Sequence, residues 1–224
     1  ACDKRTCQIV AMKEEFNGLS TSTLREVSIL KALPQHPATV EFKEVVRDDW
    51  DRVFVVMEHV ENDLARFMAV RRQPMRRNEV KCIMKQLLEG VKFLHENGLM
   101  HRDLKPSNIL INKKGEMKIC NFGLSRQFES ESGSYSPRVA TLWYRAPEIL
   151  ARVETYSTAI DMWSVDTSWA WAQSNPGAGT GLAQAEENRS AQTEEANNAR
   201  PVWSNTPRPN QLKKRPANLK DYYT

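Results

Sequence analysis

The sequence predicts an α+β fold, with strands early in the chain and helices after them, and a disordered tail behind them. Three observations predict it. Short β-branched runs crowd residues 1–61, an apolar stripe at helical spacing fills residues 80–94, and aliphatic residues become sparse after about Asp166. The implied division is a sheet lobe at 1–61, a helical lobe at 62–166 and a low-complexity tail at 167–224.

The elements follow in order. Ile9-Val10-Ala11-Met12-Lys13 is an apolar run closing on a lysine and reads as a strand. Taken alone, such a lysine is a surface charge at a strand end. Residues 20–33 carry Leu24, Val27, Leu30 and Leu33 at helical spacing, hold Arg25 and Glu26 side by side, and stop at Pro34. Residues 39–46 and 52–57 are β-branched runs around Asp48-Asp49-Trp50-Asp51, a hairpin pattern. Asn62-Asp63 supplies a cap for a helix with Leu64, Phe67 and Met68. Val80, Ile83, Met84, Leu87, Leu88, Val91 and Leu94 then form the core stripe of a long helix that Asn97-Gly98 ends. Ile109-Leu110-Ile111 and Met117-Lys118-Ile119 flank Asn112-Lys113-Lys114-Gly115, a second hairpin. Residues 129–138 are too rich in Ser and Glu to pack, and Ile160-Asp161-Met162-Trp163-Ser164-Val165 begins a last helix.

Composition bounds the function classes. A hydrophobic content of 40% supports a real core, while the net charge of +4 is too mild to imply a nucleic-acid partner. Cys2, Cys7, Cys82 and Cys120 have no metal-ligand or framework spacing and suit a reducing compartment. No apolar run reaches membrane length and no signal peptide opens the chain, so a soluble intracellular protein is expected, with no membrane partner.

The chemistry concentrates in His101-Arg102-Asp103-Leu104-Lys105-Pro106-Ser107-Asn108, a loop between a helix and an apolar strand. Phosphoryl transfer needs this set of groups: an acceptor for the attacking hydroxyl's proton, a cation near the moving phosphate and an oxygen ligand for magnesium. The octet resembles the catalytic loop of protein kinases. With the strand lysine Lys13, the helix glutamate Glu26, Asn121-Phe122-Gly123, the run from Thr141 to Glu148 (TLWYRAPE) and Asp161-Met162-Trp163-Ser164, residues 3–165 resemble the cyclin-dependent branch of that family. Ser20-Thr21-Ser22-Thr23-Leu24-Arg25-Glu26 is similar to the PSTAIRE or PITSLRE helix with which these kinases meet a cyclin.

The resemblance implies a bilobal kinase fold, incomplete at both ends, and gives the residues roles. Lys13 would hold the α- and β-phosphates of ATP, with Glu26 as its ion-pair partner. Asp103 would accept the substrate hydroxyl's proton, Lys105 would face the γ-phosphate as in serine/threonine kinases, and Asn108 would ligate magnesium. Met57 stands at the gatekeeper position, Glu58 and Val60 would offer backbone groups to adenine, Ala11 and Leu110 would sandwich the base, and Asp63 would reach the ribose. Met57, Ala11 and Leu110 also read as plain core. Ser136, followed by Pro137, sits where the branch places its activating phosphosite, with Arg25, Arg102 and Arg126 at its phosphate-gathering positions. Arg145 is consistent with a Ser/Thr-Pro protein substrate.

The chain also departs from the pattern. Asn121 stands where the family has the aspartate that binds the catalytic magnesium, so metal and ATP are both expected to bind weakly. The chain begins about ten residues before Lys13, which leaves no glycine-rich loop and an exposed sheet edge. The connection from Lys13 to the glutamate helix is short. Asp166 replaces a glycine and should put a charge into a buried helix. Two functions stay open on this basis: a weak or inactive cyclin-dependent-type serine/threonine kinase, and a catalytically dead decoy that still binds a cyclin or kinase partner. A nuclear address, favoured over the cytoplasm, is a family expectation, and the basic run Lys213-Lys214-Arg215 adds little to it.

Overall fold

Stiff β-branched side chains suit a pleated, half-buried surface, and the first lobe uses them for its strands. The computed structural model describes residues 1–16, 18–71, 73–128, 141–174 and 217–218. Strands β1 (Cys2–Asp3), β2 (Gln8–Glu15), β3 (Phe42–Arg47) and β4 (Val53–Glu58) form one antiparallel sheet in which β4 lies between β2 and β3. The edge expected to lie bare is covered at its start, where Cys2 pairs with Ile9 and Asp3 with Gln8. Val10, Val46, Phe54 and Val56 make a small core under this sheet. The β3–β4 hairpin is closed by Asp48, whose Oδ1 accepts from the Trp50 and Arg52 amides at 3.0 and 2.8 Å.

Helix α1 (Thr21–Ala32) starts where the Ser20 hydroxyl accepts from the Thr23 amide at 3.0 Å, an N-cap that satisfies one of the first free N–H groups. Its buried face differs from the expected stripe. Thr23, Glu26, Val27, Ile29 and Leu30 are buried, whereas Leu24 is 48% exposed. The helix therefore presents one apolar residue outward and one carboxylate inward.

The second lobe begins with β5 (Asn62–Asp63) and α2 (Leu64–Val70), capped by Asp63 Oδ1 on the Arg66 amide at 2.8 Å. Helix α3 (Arg77–Glu96) buries Ile83, Leu87, Val91 and Leu94 in the main core, which also takes Ile29 and Leu30 of α1. Gly90 lets α3 approach closely, since a Cβ there would meet Ala38 Cβ at 2.9 Å and Ile119 Cδ1 at 3.0 Å. Asn97 ends the helix, and Gly98 takes the left-handed φ of +68° that follows it. Strand β6 (Leu99–Met100) leads into the loop at 101–108, and β7 (Ile109–Ile111) and β8 (Met117–Ile119) form the second hairpin, with β7 also pairing β5. Strand β9 (Arg126–Gln127) returns to pair with β6.

Helices α4 (Pro147–Leu150) and α5 (Ala159–Ser174) complete the lobe around Met100, Ala146, Ile149, Tyr156 and Ile160. Two expectations are corrected here. The last helix runs to Ser174, eight residues past the boundary expected at Asp166. Asp166 lies on its exposed side, so no charge is buried there. A short strand β10 (Ala217–Asn218) runs parallel to β3 at its outer edge. Residues 129–140, including Ser136, lie outside the described residues.

Candidate functional site

The loop at 101–108 is held from behind by one carboxylate. Asp161, on α5 and 1% exposed, accepts from the His101 amide (Oδ2, 2.9 Å), the Arg102 amide (Oδ1, 2.8 Å) and His95 Nε2 (Oδ2, 2.9 Å). Arg102 sits at φ +69°, a left-handed conformation that costs a residue with a Cβ free energy. Two amides pulled onto one carboxylate hold it there. His101 Nδ1 accepts the Asp103 amide at 3.3 Å, which leaves the proton on Nε2 to donate to the Cys120 carbonyl at 3.0 Å. Its ring meets the fully buried Phe122 edge-on, with centroids 5.2 Å apart. The backbone of the loop is fixed on both sides before any reacting group is considered.

Three side chains then converge. Pro106–Asn108 is a 3₁₀ turn that swings Asn108 back, so that its Nδ2 donates to the Asp103 carbonyl at 2.7 Å and to Asp103 Oδ2 at 2.9 Å. Asp103 Oδ1 accepts from the Thr141 amide at 2.9 Å and the Thr141 hydroxyl at 3.0 Å. Lys105 Nζ reaches the same hydroxyl at 2.8 Å and stands 3.7 Å from Asp103 Oδ2. Thr141, the first residue of the run TLWYRAPE, carries no motif signal of its own, yet its hydroxyl joins the two charged groups.

The first lobe contributes a second pair. Lys13 Nζ lies 3.3 Å from Glu26 Oε2 and 3.1 Å from Glu15 Oε1. Burial works against the ammonium, but Glu26 and then Glu15 outweigh it, and the Lys13 pKa is raised above its ordinary value. Glu26 uses its other oxygen to accept the Phe122 amide at 3.2 Å, which ties the glutamate helix to the segment after β8. A Cβ at Gly123 would collide with Ser22 Oγ, so α1 lies directly on this turn, and Arg25 Nη1 donates to the Gly123 carbonyl.

The expected base-binding residues are half-buried. Ala11 pairs with Met57 across β2 and β4, and Asp63 pairs with Leu110 across β5 and β7. Met57 and Leu110 also pack on the main core. The Glu58 amide is already bonded to the Glu41 carbonyl at 3.0 Å, so its N–H is not on offer to a ligand. Asp63 Oδ1 caps α2, which leaves Oδ2 for a hydroxyl.

The metal-binding expectation rests on Asn108 and Asn121. Asn121, at φ +66°, donates from Nδ2 to Asn108 Oδ1 at 3.1 Å. Both protons of Asn108 go to Asp103, which fixes the orientation of the two amides. The Asn108 oxygen expected to ligate magnesium thus accepts an N–H, and the neighbouring group is a neutral amide rather than a carboxylate. Magnesium requires hard, anionic oxygens in near-octahedral order. Among the described residues no group of three or more His, Cys, Asp or Glu side chains could hold a metal ion. The residues present do not fit magnesium. Cys120, just before Asn121, is no nucleophile either: burial, then the carboxylates of Glu26, Asp63 and Asp103, pushes its thiol up to about 12.

Behind the loop, three arginines gather. Burial and then the charge of Arg102 lower the Arg25 pKa, while burial and then Arg25 and Arg102 lower that of Arg126. Arg102 is held by the Leu124 carbonyl (Nε, 2.8 Å) and the Tyr156 hydroxyl (Nη1, 2.6 Å). Like charges in mutual repulsion are what an anion would relieve. Arg145 is half-buried just after the turn at 142–144.

A family model described as protein kinase domain matches residues 1–214. Cyclin-dependent kinase G-1 of Oryza sativa subsp. indica is 54% identical over 169 residues, covering 73% of this chain and 24% of the relative. Cyclin-dependent kinase 11B of Homo sapiens is 48% identical over 172 residues, covering 74% and 21%. The chain thus spans about a quarter of the length of the curated relatives it matches. A chain in the crystal structure of the yeast RNA Pol II CTD kinase CTDK-1 complex superposes with a TM-score of 0.70 at 35% identity, covering 76% of this chain and 56% of its own length. Among the described residues no helix is long and apolar enough to cross a membrane.

Proposed function

Because the chain belongs to the protein kinase domain family, we propose that its site is that of a cyclin-dependent-type serine/threonine kinase in which γ-phosphoryl transfer from ATP is weak or absent. One observation carries the kinase part. Asp103 and Lys105, from one loop, meet a single hydroxyl at 3.0 and 2.8 Å. A substrate serine or threonine needs these two partners, a carboxylate to take its proton and a cation beside the phosphate it attacks. Lys13, held by Glu26, would receive the other phosphates, and Arg145 supports a Pro-directed protein substrate.

The weakness comes from Asn121. Removing a preorganised electrostatic group from a transition state commonly costs about 10²–10³-fold in rate. The Asn121 N–H on Asn108 favours a second reading, a decoy that binds a cyclin-like partner through residues 20–26 without chemistry; the exposed Leu24 on α1 supports that surface. A nuclear setting remains a family expectation within this proposal.

Turnover of radiolabelled ATP on a histone-type substrate, with added cyclin, tests both readings. Turnover abolished by Asp103→Asn supports the weak kinase. No turnover, with cyclin retained in a pull-down and lost on Arg25→Ala, supports the decoy. Neither turnover nor cyclin binding overturns both.

A further inference from the structure

We infer that a basic surface on the second lobe, running from the start of α3 to the turn between β7 and β8, docks an acidic peptide segment of a partner protein. The inference goes beyond the kinase-type reading and stands without it, because none of the residues it uses belongs to the candidate site.

One stripe of α3 joins the two ends of this surface. Glu79, Cys82 and Gln86 follow one another at i, i+3 and i+7 and so lie along one side of the helix. At the first end Glu79 holds Arg71 at 3.1 Å and Arg76 at 3.4 Å. At the other, Gln86 Nε2 donates to the Gly115 carbonyl at 2.8 Å and Gln86 Oε1 accepts the Met117 amide at 3.0 Å. These two bonds lay the turn that carries Lys113 and Lys114 onto the helix. The stripe between the two ends is about 10 Å long. Arg76, Arg77, Lys81, Lys113 and Lys114 are exposed, and Arg71 is half-buried. Three carboxylates stand near these six cations. They are Glu79, Glu116, which accepts from Asn112 Nδ2 at 2.6 Å, and Glu61, which precedes the pairing of Asn62 with Ile111. Lys85 and Lys118 are taken up by Glu89 at 3.8 Å and Glu58 at 2.8 Å. The surface keeps a net positive charge, and Arg77, Lys81, Lys113 and Lys114 make no ion pair among the described residues.

Charge complementarity selects an acidic occupant. Val70, 73% exposed and next to Arg71, gives that occupant an apolar contact as well. A single-stranded nucleic acid would instead use aromatic rings on which its bases stack. The ring at this end, Phe67, is half-buried with the Arg71 guanidinium 5.3 Å from its centroid. The surface thus offers charge and an aliphatic spot but no open ring, which suits a peptide. An extended peptide advances about 3.3 Å per residue, so about three or four residues reach from one basic end to the other.

Fluorescence anisotropy of the full chain with a fluorescein-labelled peptide of four Glu-Glu-Leu repeats, in low salt, tests this. A peptide of four Gln-Gln-Leu repeats and a labelled uridine 12-mer serve as comparisons. The glutamate peptide should bind at least about tenfold tighter than either, and its Kd should rise steeply with added salt. Arg77→Glu with Lys81→Glu, and separately Lys113→Glu with Lys114→Glu, should each weaken it by about tenfold or more. Alanine at the same positions should weaken it in the same direction by less, which keeps the test independent of how well the reversals fold. Lys4→Glu with Lys31→Glu, the same change of net charge on exposed residues of the first lobe, should leave the Kd within about twofold. Loss on only one of the two patch pairs overturns the span between them, and equal loss in the first-lobe control overturns the surface altogether. Tighter binding of the uridine 12-mer overturns the peptide assignment in favour of a nucleic acid. No binding of the glutamate peptide at millimolar concentration overturns the inference and leaves the kinase-type reading untouched.

Discussion

Replacing Asp161 by asparagine removes one acceptor oxygen from a carboxylate that serves three donors at 2.8–2.9 Å. The amide has two orientations, and each faces an N–H toward another N–H. If the oxygen stays on the side of His101 and His95, the Arg102 amide loses its acceptor; if it turns over, the His101 amide and His95 lose theirs. The cheaper choice still gives up one charge-assisted bond, worth about 1.5–3 kcal/mol, and weakens the others by making their acceptor neutral. Arg102 at φ +69° then loses the contact that holds it. Together these predict a destabilisation of about 2–4 kcal/mol, or about 5–15 °C in Tm for a domain of this size. Thermal and urea unfolding of Asp161→Asn against wild type measures it. Asp166→Ala, five residues on but on the exposed side of α5, should stay within about 0.5 kcal/mol and is the control. A Tm shift under about 2 °C for Asp161→Asn would refute the reasoning, because it would mean that the loop does not hang on this carboxylate.

Other outcomes are expected. Gly90→Ala gains helix propensity but drives a methyl to 2.9 Å from Ala38 Cβ and 3.0 Å from Ile119 Cδ1, so urea unfolding should show a net loss of about 1–2 kcal/mol. Glu26→Gln removes the main charge that raises the Lys13 pKa. A raised lysine pKa contributes stability that is fully present below the ordinary value of about 10.4 and is lost as pH climbs through the folded value. The gap between wild type and Glu26→Gln should therefore be steady at neutral pH and close in alkali; since Lys13 is 40% exposed, it should stay below about 1 kcal/mol for the pair. Phosphorylation at Ser136 should raise Tm by about 5 °C by relieving the repulsion among Arg25, Arg102 and Arg126, and Arg126→Ala should erase most of that gain; an unchanged melt after stoichiometric phosphorylation counts against the arginine cluster as its receptor.

Local signals in the sequence were enough for most of the frame. Ser20 and Asp63 cap the helices they precede, Ile83, Leu87, Val91 and Leu94 of the α3 stripe are buried although Leu88 is 41% exposed, and Gly98 follows the end of α3, because each depends mainly on residues within a turn or two. The end of α5 is not legible in the sequence, because a helix can continue where aliphatic residues become sparse. Ser168 is buried and Trp169 half-buried within that helix, and the stop signal in the sequence, Asn175-Pro176-Gly177, comes after Ser174. The site residues stood out through motif, but their bonding did not. Thr141 lies 36 residues from Lys105 and 38 from Asp103, and no spacing rule connects them. Glu15 as a second partner of Lys13 was equally out of sight, since residues two apart on a strand look like the same surface.

Position 121 separates what the fold needs from what the chemistry needs. The backbone there requires a left-handed φ, which asparagine tolerates about as well as aspartate, and the next amide bonds to Glu26 whatever the side chain before it is. The loop at 101–108 is anchored by Asp161 from the opposite side, and position 121 gives it one side-chain hydrogen bond, to Asn108. An asparagine can therefore stand at this position at little cost to the geometry of Asp103, Lys105 and Asn108. What it removes is a charge, and with it the ion that charge would hold. Placement of Asp103, Lys105 and Asn108 is thus a property of the scaffold, which does not require a carboxylate at position 121. Asn121→Asp should destabilise the fold by about 1–2 kcal/mol in metal-free buffer, because a carboxylate oxygen would then face Asn108 Oδ1 with no proton between them, and should recover only when magnesium and ATP are added together.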